Sequence, residues 1–290
     1  MRIAMAGLAT SHPYADARTL ARHGELAVWE PDAQRLATFT GEHPSAAVAG
    51  DLEELLARDL DGIVLTVPTP QVPAALGPVL DTGVPVFINK PAAATRDQLT
   101  AIDNLIRPCA ERVLSSSVLR FAPAFRDRVI DPADVLAVRA TVRHDVGIWA
   151  TGYNPWQDTP GEGGGTLVTM GVHGVELLVA LLGPEVSLVG AAGAIRHYDT
   201  LRSEDTGVIA MQWWGSGIPG TVEVLGVSEE ESYTVTVHTR TGADEIVIAG
   251  DLGYEGTIDA FLAMVGGAPS PVPWEQTRAI LDILVSAREA

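Results

Sequence analysis

Arg2-Ile3-Ala4-Met5-Ala6-Gly7-Leu8-Ala9-Thr10-Ser11-His12 opens the chain and carries the first decision about its fold. Ile3–Ala6 is an apolar run of strand length that passes straight into a glycine-led turn. A G-x-G-x-x-G turn between a strand and a helix allows a tight bend and lets backbone N–H groups reach a pyrophosphate. Of the three glycines only Gly7 is present; Ala9 is small enough for close approach, and His12 stands at the third position. By itself the turn reads as an ordinary strand-to-helix connection. A second feature changes the balance. The run Leu26–Trp29 ends in Glu30, 23 residues after Gly7, where a carboxylate would accept the adenosine ribose hydroxyls and repel a 2′-phosphate. Loop and acid together point to a dinucleotide, with NAD favoured over NADP.

Outward from this loop, short apolar runs alternate with helix-like stretches. The further runs are Ala46–Val48, Ile63–Val67, Val84–Ile88 and Val113–Leu114; between the runs lie Tyr14–Arg22, Asp32–Phe39, Leu52–Ala57, Val72–Leu80 and Arg96–Ile106. This alternation predicts βαβ units on a parallel sheet buried on both faces, an α/β domain over residues 1–118. Helix starts are expected at Glu30-Pro31, at Asp51, and at Thr95 with Gln98 three residues on. From residue 119 the period changes. Val138, Ala140 and Val142 alternate with Arg139, Thr141 and Arg143, and Val208–Trp213, Gly220–Leu225, Tyr233–Arg240 and Glu245–Ile248 also read as strands. Residues 119–290 are therefore expected to form an α+β domain with a largely antiparallel open sheet. It is interrupted by one helix, Thr166–Leu182, and closed by a last helix, Glu275–Glu289, free to pack back on the first domain. Glu229–Glu231 reads as a solvated turn, and Trp213, Trp214 and Phe261 as core or subunit contacts.

Composition narrows the partners. Thirty-seven acidic against 19 basic side chains give a formal charge of −18, which disfavours nucleic acid and anionic lipid. No apolar run approaches the roughly 20 residues that span a bilayer, and the N-terminal run reads as a buried strand rather than a leader. The lone cysteine, Cys109, supports neither a disulfide nor a multi-cysteine metal site. These features lead us to expect a cytoplasmic protein without a metal. Eighteen of the 19 basic residues are arginine, and the single lysine is Lys90. Lysine, unlike arginine, can lose its proton in a protein, so Lys90 is a candidate for proton transfer.

Two further stretches carry a resemblance. Val84-Pro85-Val86-Phe87-Ile88-Asn89-Lys90-Pro91 and Gly163-Gly164-Gly165-Thr166-Leu167-Val168-Thr169-Met170-Gly171-Val172-His173-Gly174-Val175-Glu176 resemble the Gfo/Idh/MocA family of glucose–fructose oxidoreductase and inositol dehydrogenase type. The likeness extends to Asp51–Leu56, to Arg120–Phe125 and to Trp156 and Asp158. It implies a Rossmann domain followed by an α+β domain whose open sheet joins subunits, as homodimer or homotetramer. It further implies NAD(P)-dependent oxidation or reduction of a sugar, cyclitol or related polyol. By the same resemblance Lys90 and His173 are catalytic; Gly7, Ala9, Thr10, Ser11, His12, Glu30, Pro68 and Lys90 hold the cofactor; and Lys90, Arg120, Tyr153, Trp156, Thr169 and His173 hold the substrate.

Histidine titrates near neutral pH and suits the acid–base role at 173. On a helix, Thr169, His173 and Glu176 share one face, so Glu176 is expected to supply the carboxylate that the family carries at the position of Thr169. Other departures are Asn89 in place of a glutamate, Val72 in place of a histidine, and the thinned glycine loop. They keep two alternatives open: a catalytically silent nucleotide- or sugar-binding protein of the same fold, and an NAD-dependent glycosidase. His144 and Asp145 border the expected pocket from a strand end, and adjacent strand residues point to opposite faces.

Overall fold

The computed structural model describes residues 1–290. Its first sheet is built from β1 (Arg2–Ala6), β2 (Glu25–Trp29), β3 (Ala47–Val48), β4 (Gly62–Leu65), β5 (Val86–Ile88) and β6 (Val113–Leu114). The strand order is β3-β2-β1-β4-β5-β6 and every pairing is parallel. Consecutive strand residues serve opposite faces. Ile3, Met5, Val64 and Phe87 join one buried cluster, while Ala4, Ala6, Ile63, Val86 and Ile88 join another. The first face is covered by α1 (His12–Leu20) and α2 (Ala33–Glu42), the second by α3 (Leu52–Leu56), α4 (Val72–Asp81) and α5 (Arg96–Ile106). Two caps follow the sequence reading: Asp51 accepts from Glu54 N, and Thr95 accepts from Gln98 N. The start of α2 lies two residues later than Glu30-Pro31 suggests, because the Asp32 carboxylate takes both Gln34 N and Arg35 N.

The second sheet contains β7 (Val135–Asp145), β8 (Val186–Ala194), β9 (Thr206–Trp213), β10 (Pro219–Leu225), β11 (Val227–Thr239) and β12 (Gly242–Ile248), in the order β12-β11-β7-β10-β9-β8. Only the β10–β7 pairing is parallel. Val138, Ala140 and Val142 point with Val222, Val235 and Val237 into one core, against α8 (Gly171–Leu182) and α10 (Trp274–Glu289). Gly174 lets α8 lie directly on the sheet, since a Cβ there would come within 2.4 Å of Val222. The helical stretch Gly165–Leu182 has a mean hydropathy of 1.7 and passes for a membrane span by length and composition, although no such run was expected; 83% of it is buried inside the protein. It is two helices, α7 (Gly165–Thr169) and α8, with a break at Met170.

The strand β8 and the helix α9 (Tyr254–Val265) escape the sequence reading. β8 is rich in glycine and alanine and shows little alternation. α9 returns to the first sheet, where Ile258, Phe261 and Met264 fill its core beside Ile3 and Phe87. α10 also reaches back, with Trp274 Nε1 donating to Asp103 of α5 and Thr277 Oγ1 to Ser115 O. Residues beyond Tyr254 thus serve both sheets, whereas a simple division at 118/119 would assign all of them to the second. A short α6 (Gly147–Ala150) follows β7 and starts the loop that crosses to the first domain.

Candidate active site

The carboxyl ends of β1, β4 and β5 form one edge, and the switch in strand order between β1 and β4 opens a crevice there. Gly7 has φ +88°, and a Cβ would lie 2.7 Å from Thr66 O, so only glycine fits. The turn is pinned by Gly7 N to Trp29 O at 2.8 Å, Ala9 N to Thr66 O at 2.9 Å and Leu8 N to Glu30 Oε2 at 2.5 Å. The Thr10 and Ser11 amides have no backbone acceptor, and Thr10 Oγ1 is buried without a partner. Glu30 behaves differently from its sequence reading. Its second oxygen accepts from Asp32 N, it is 7% exposed, and it braces the loop from behind. The charges that face the adjoining groove, about 650 Å³, belong to Asp32 and Arg35.

A cleft of about 420 Å³ adjoins this groove, and Ser11 and Tyr153 line both. Lys90 follows β5, and its Nζ lies 2.8 Å from His173 Nε2 and 3.4 Å from Thr169 O. The helix break explains the second contact. His173 N turns to Met170 O, leaving the Thr169 carbonyl for Lys90. The Thr169 hydroxyl is spent on Gly165 O at 2.6 Å. Behind His173, Nδ1 meets Ser117 Oγ at 2.6 Å. Glu176 does not touch His173. It accepts from Ser116 Oγ and from Ser117 N at 2.6 Å, with Arg120 Nη1 at 3.9 Å.

Burial controls the titration here. Desolvation, with the neighbouring Lys90 charge, holds His173 well below the ordinary histidine value and takes His12 down to about 3. Desolvation also brings Lys90 down to about 8, against the opposing pull of Glu176 and Glu231. Burial pushes the Glu176 carboxyl up. Glu231 is the one carboxylate lining the cleft, and His144 beside it, Nδ1 to Oε1 3.6 Å, holds it below the usual glutamate value. Tyr233 OH donates to the same oxygen at 2.8 Å.

Residues 133–253 match the family model for the GFO/IDH/MocA C-terminal domain. The chain is 26% identical to a myo-inositol dehydrogenase of Streptomyces leeuwenhoekii over 269 residues, covering 82% of this chain and 79% of that protein. Both matches fall on the family that the sequence resembles, the first of them over its C-terminal domain. Two solved structures share its fold. GenD2 from gentamicin A biosynthesis, in complex with NAD, aligns with a TM-score of 0.82 at 19% identity, covering 100% of this chain and 93% of that one. A myo-inositol dehydrogenase from Corynebacterium glutamicum aligns with a TM-score of 0.81 at 17% identity, covering 100% and 96%.

Within this geometry the expected residues separate. Thr10, Ser11, His12, Lys90, Tyr153, Thr169 and His173 line the cleft. Pro68 and Trp156 line the groove instead, so Trp156 stands on the side away from His173. Arg120 points to neither; its guanidinium donates to Gln276 Oε1 at 2.6 Å, behind the cleft wall. Ser117, Glu231 and Tyr233 were not singled out as site residues. The Glu229–Glu231 run is not a free turn but part of β11. The register against β7 jumps between Val227 and Ser232, and this bulge sets Glu231 beside His144. Asp145 does face away, its carboxylate taking Tyr198 OH at 2.5 Å.

Proposed function

We propose that the chain is a nicotinamide-dependent oxidoreductase that moves a hydride between NAD(H) and a ring polyol or sugar. The observation that carries this reading is the Lys90–His173 pair, 2.8 Å apart in a cleft that opens beside the two free amides of the glycine turn. The residues fit the cofactor. Thr10 and Ser11 offer unsatisfied amides and the buried, unpartnered Thr10 hydroxyl to a pyrophosphate. Groove and cleft, joined at Ser11 and Tyr153, have room for its two halves. When bound, the nicotinamide supplies the hydride acceptor or donor.

The chain supplies the rest. Lys90 and His173 exchange the hydroxyl proton of the substrate, and partial burial brings the lysine near the pH at which it can do so. Glu231 and His144, which line the same cleft from β11 and β7, offer an acceptor and an imidazole to the remaining hydroxyls. For the choice of dinucleotide, Asp32 takes over the part that Glu30 is too buried to play. Its carboxylate faces the groove, while the guanidinium of Arg35 is already bonded to Asn154 Oδ1. NAD(H) is therefore the preferred form. Val189, Val208 and Val247 stay exposed on the strands of the second sheet, which supports self-association through its outer face. Calorimetric titration with NADH and NADPH, followed by turnover of NAD with a polyol panel, tests the reading. Binding without turnover would favour a silent binding protein, and tighter NADPH binding would overturn the cofactor choice.

A further inference from the structure

Ser117 lies in the connection between the two sheets and is fully buried. Its Oγ makes two contacts: Leu119 N at 3.2 Å and His173 Nδ1 at 2.6 Å. An amide can only donate, so the single hydroxyl proton has one acceptor within reach, Nδ1. The reverse arrangement, with Nδ1–H donating to Oγ, would leave that proton buried with no acceptor. With Nδ1 accepting, a neutral imidazole carries its proton on Nε2. That proton points at Lys90 Nζ, and an amine can accept it only while uncharged. The Glu176 contacts hold Ser117 in place through its backbone amide, so the hydroxyl is free to do this.

We propose that Ser117 is a positioning residue that holds His173 as the Nε2–H tautomer and so keeps Lys90 as the free amine that takes the substrate proton. The assignment rests on the oxidoreductase reading for its chemistry, not for its geometry. A substrate hydroxyl entering between the two side chains gives its proton to Nζ while its oxygen accepts Nε2–H. The O–H bond breaks and an N–H bond forms on Lys90; a bound nicotinamide would be the oxidant, taking the hydride of the carbon that becomes the carbonyl. Lys90 is then the base and neutral His173 a hydrogen-bond donor, which divides two roles that the resemblance leaves shared. The groups around the pair act in both directions. Glu176 from α8 and Glu231 from β11 favour the ammonium, while His12 from α1 and His144 from β7 bear with Lys90 on His173. Tyr233 of β11 lies against the imidazole ring, with centroids 5.3 Å apart. Desolvation opposes the charge on both members of the pair.

The test is a two-bond proton–nitrogen correlation spectrum of the 15N-histidine-labelled full chain at about pH 9, above the Lys90 value of about 8, with the His173 signals assigned from a His173→Gln sample. The parent should show protonation at Nε2. Ser117→Ala, which keeps the amide that Glu176 holds, should lose that preference, and Ser117→Thr, which keeps the hydroxyl, should restore it. In polyol oxidation the rate of the parent should rise through Lys90 deprotonation at about 8. In Ser117→Ala the Nδ1–H form lets Lys90 donate as an ammonium, so this limb should move up by about one pH unit. Protonation at Nδ1 in the parent, or an unchanged tautomer in Ser117→Ala, would overturn the proposal. The Nε2–H spectrum supports the Ser117 assignment even where no polyol turns over, an outcome that would sink the oxidoreductase reading alone.

Discussion

The groove and the cleft share Ser11 and Tyr153 yet handle charge in opposite ways. In the groove, Asp32 is exposed and its carboxylate caps α2 while remaining open to water. In the cleft, Lys90, His173 and Glu231 face one another, with Glu176 sealed behind them. Solvent screens the first set, so each of its members has a small effect. Desolvation governs the second, so its protonation states depend on a single neighbour placed within 3 Å. A binding surface tolerates the first arrangement; proton transfer near neutral pH needs the second.

The largest test of that contrast is Lys90→Arg. The substitution keeps the charge, enlarges the head group and removes a titratable proton. Turnover should fall by roughly 10²-fold or more, while NADH affinity stays within a few-fold of the parent. Near-parental turnover in this variant would show that the cleft does not use its buried amine. Next comes Gly7→Ala, at the turn that joins the two spaces. Its Cβ would meet the Thr66 carbonyl at 2.7 Å in a left-handed backbone, so chemical denaturation should show a loss of about 3 kcal/mol and calorimetry a weakened dinucleotide. Unchanged stability would mean that the turn relaxes more freely than its contacts indicate.

A third test uses a buried carboxyl outside both spaces. Asp16 of α1 is 1% exposed, neither of its oxygens has a partner, and desolvation raises its pKa to about 8. Between its unfolded value and about 8 the folded chain holds a proton that the unfolded chain has released. Stability should therefore fall as pH rises through that window. His12 and His173 act oppositely below the ordinary histidine value of 6.5, where they must be uncharged in the fold. From about 6.5 to 8, Asp16→Asn should flatten the decline and leave the variant more stable by about 1–2 kcal/mol at pH 8. Parallel pH profiles for parent and variant would contradict a neutral Asp16. The smallest effect belongs to the groove. Asp32→Asn should narrow the NADH-over-NADPH preference by a few-fold, read as the ratio of the two Kd values, without touching the kcat pH profile. A shift in that profile would mean that the two spaces are electrostatically joined.

Local pattern alone determined much of this molecule. Continuous apolar runs at Ile3–Ala6, Ile63–Leu65 and Val86–Ile88 can only be strands buried on both faces, and the alternation of Val138, Ala140 and Val142 marks a sheet buried on one. Lys90 was conspicuous because it is the one lysine, and His173 because of the glycine-rich stretch before it. Their meeting at 2.8 Å is a different matter. It depends on how the end of β5 docks against α8 across 83 residues of chain. Helix periodicity suggested that Glu176 would serve His173, but the break at Met170 and the approach of Ser116 and Ser117 gave Glu176 other partners and gave His173 a hydroxyl. Glu30 and Glu231 exchanged their expected surroundings for the same reason. A charged residue at a strand end looks solvated until a neighbouring loop buries it, and one in an acidic run looks free until a bulge turns it inward. Periodicity reports which face a residue occupies, and that is a property of a few neighbours along the chain. Which group stands opposite that face is decided by long-range packing, where a shift of one residue changes the hydrogen-bond partner and with it the chemistry.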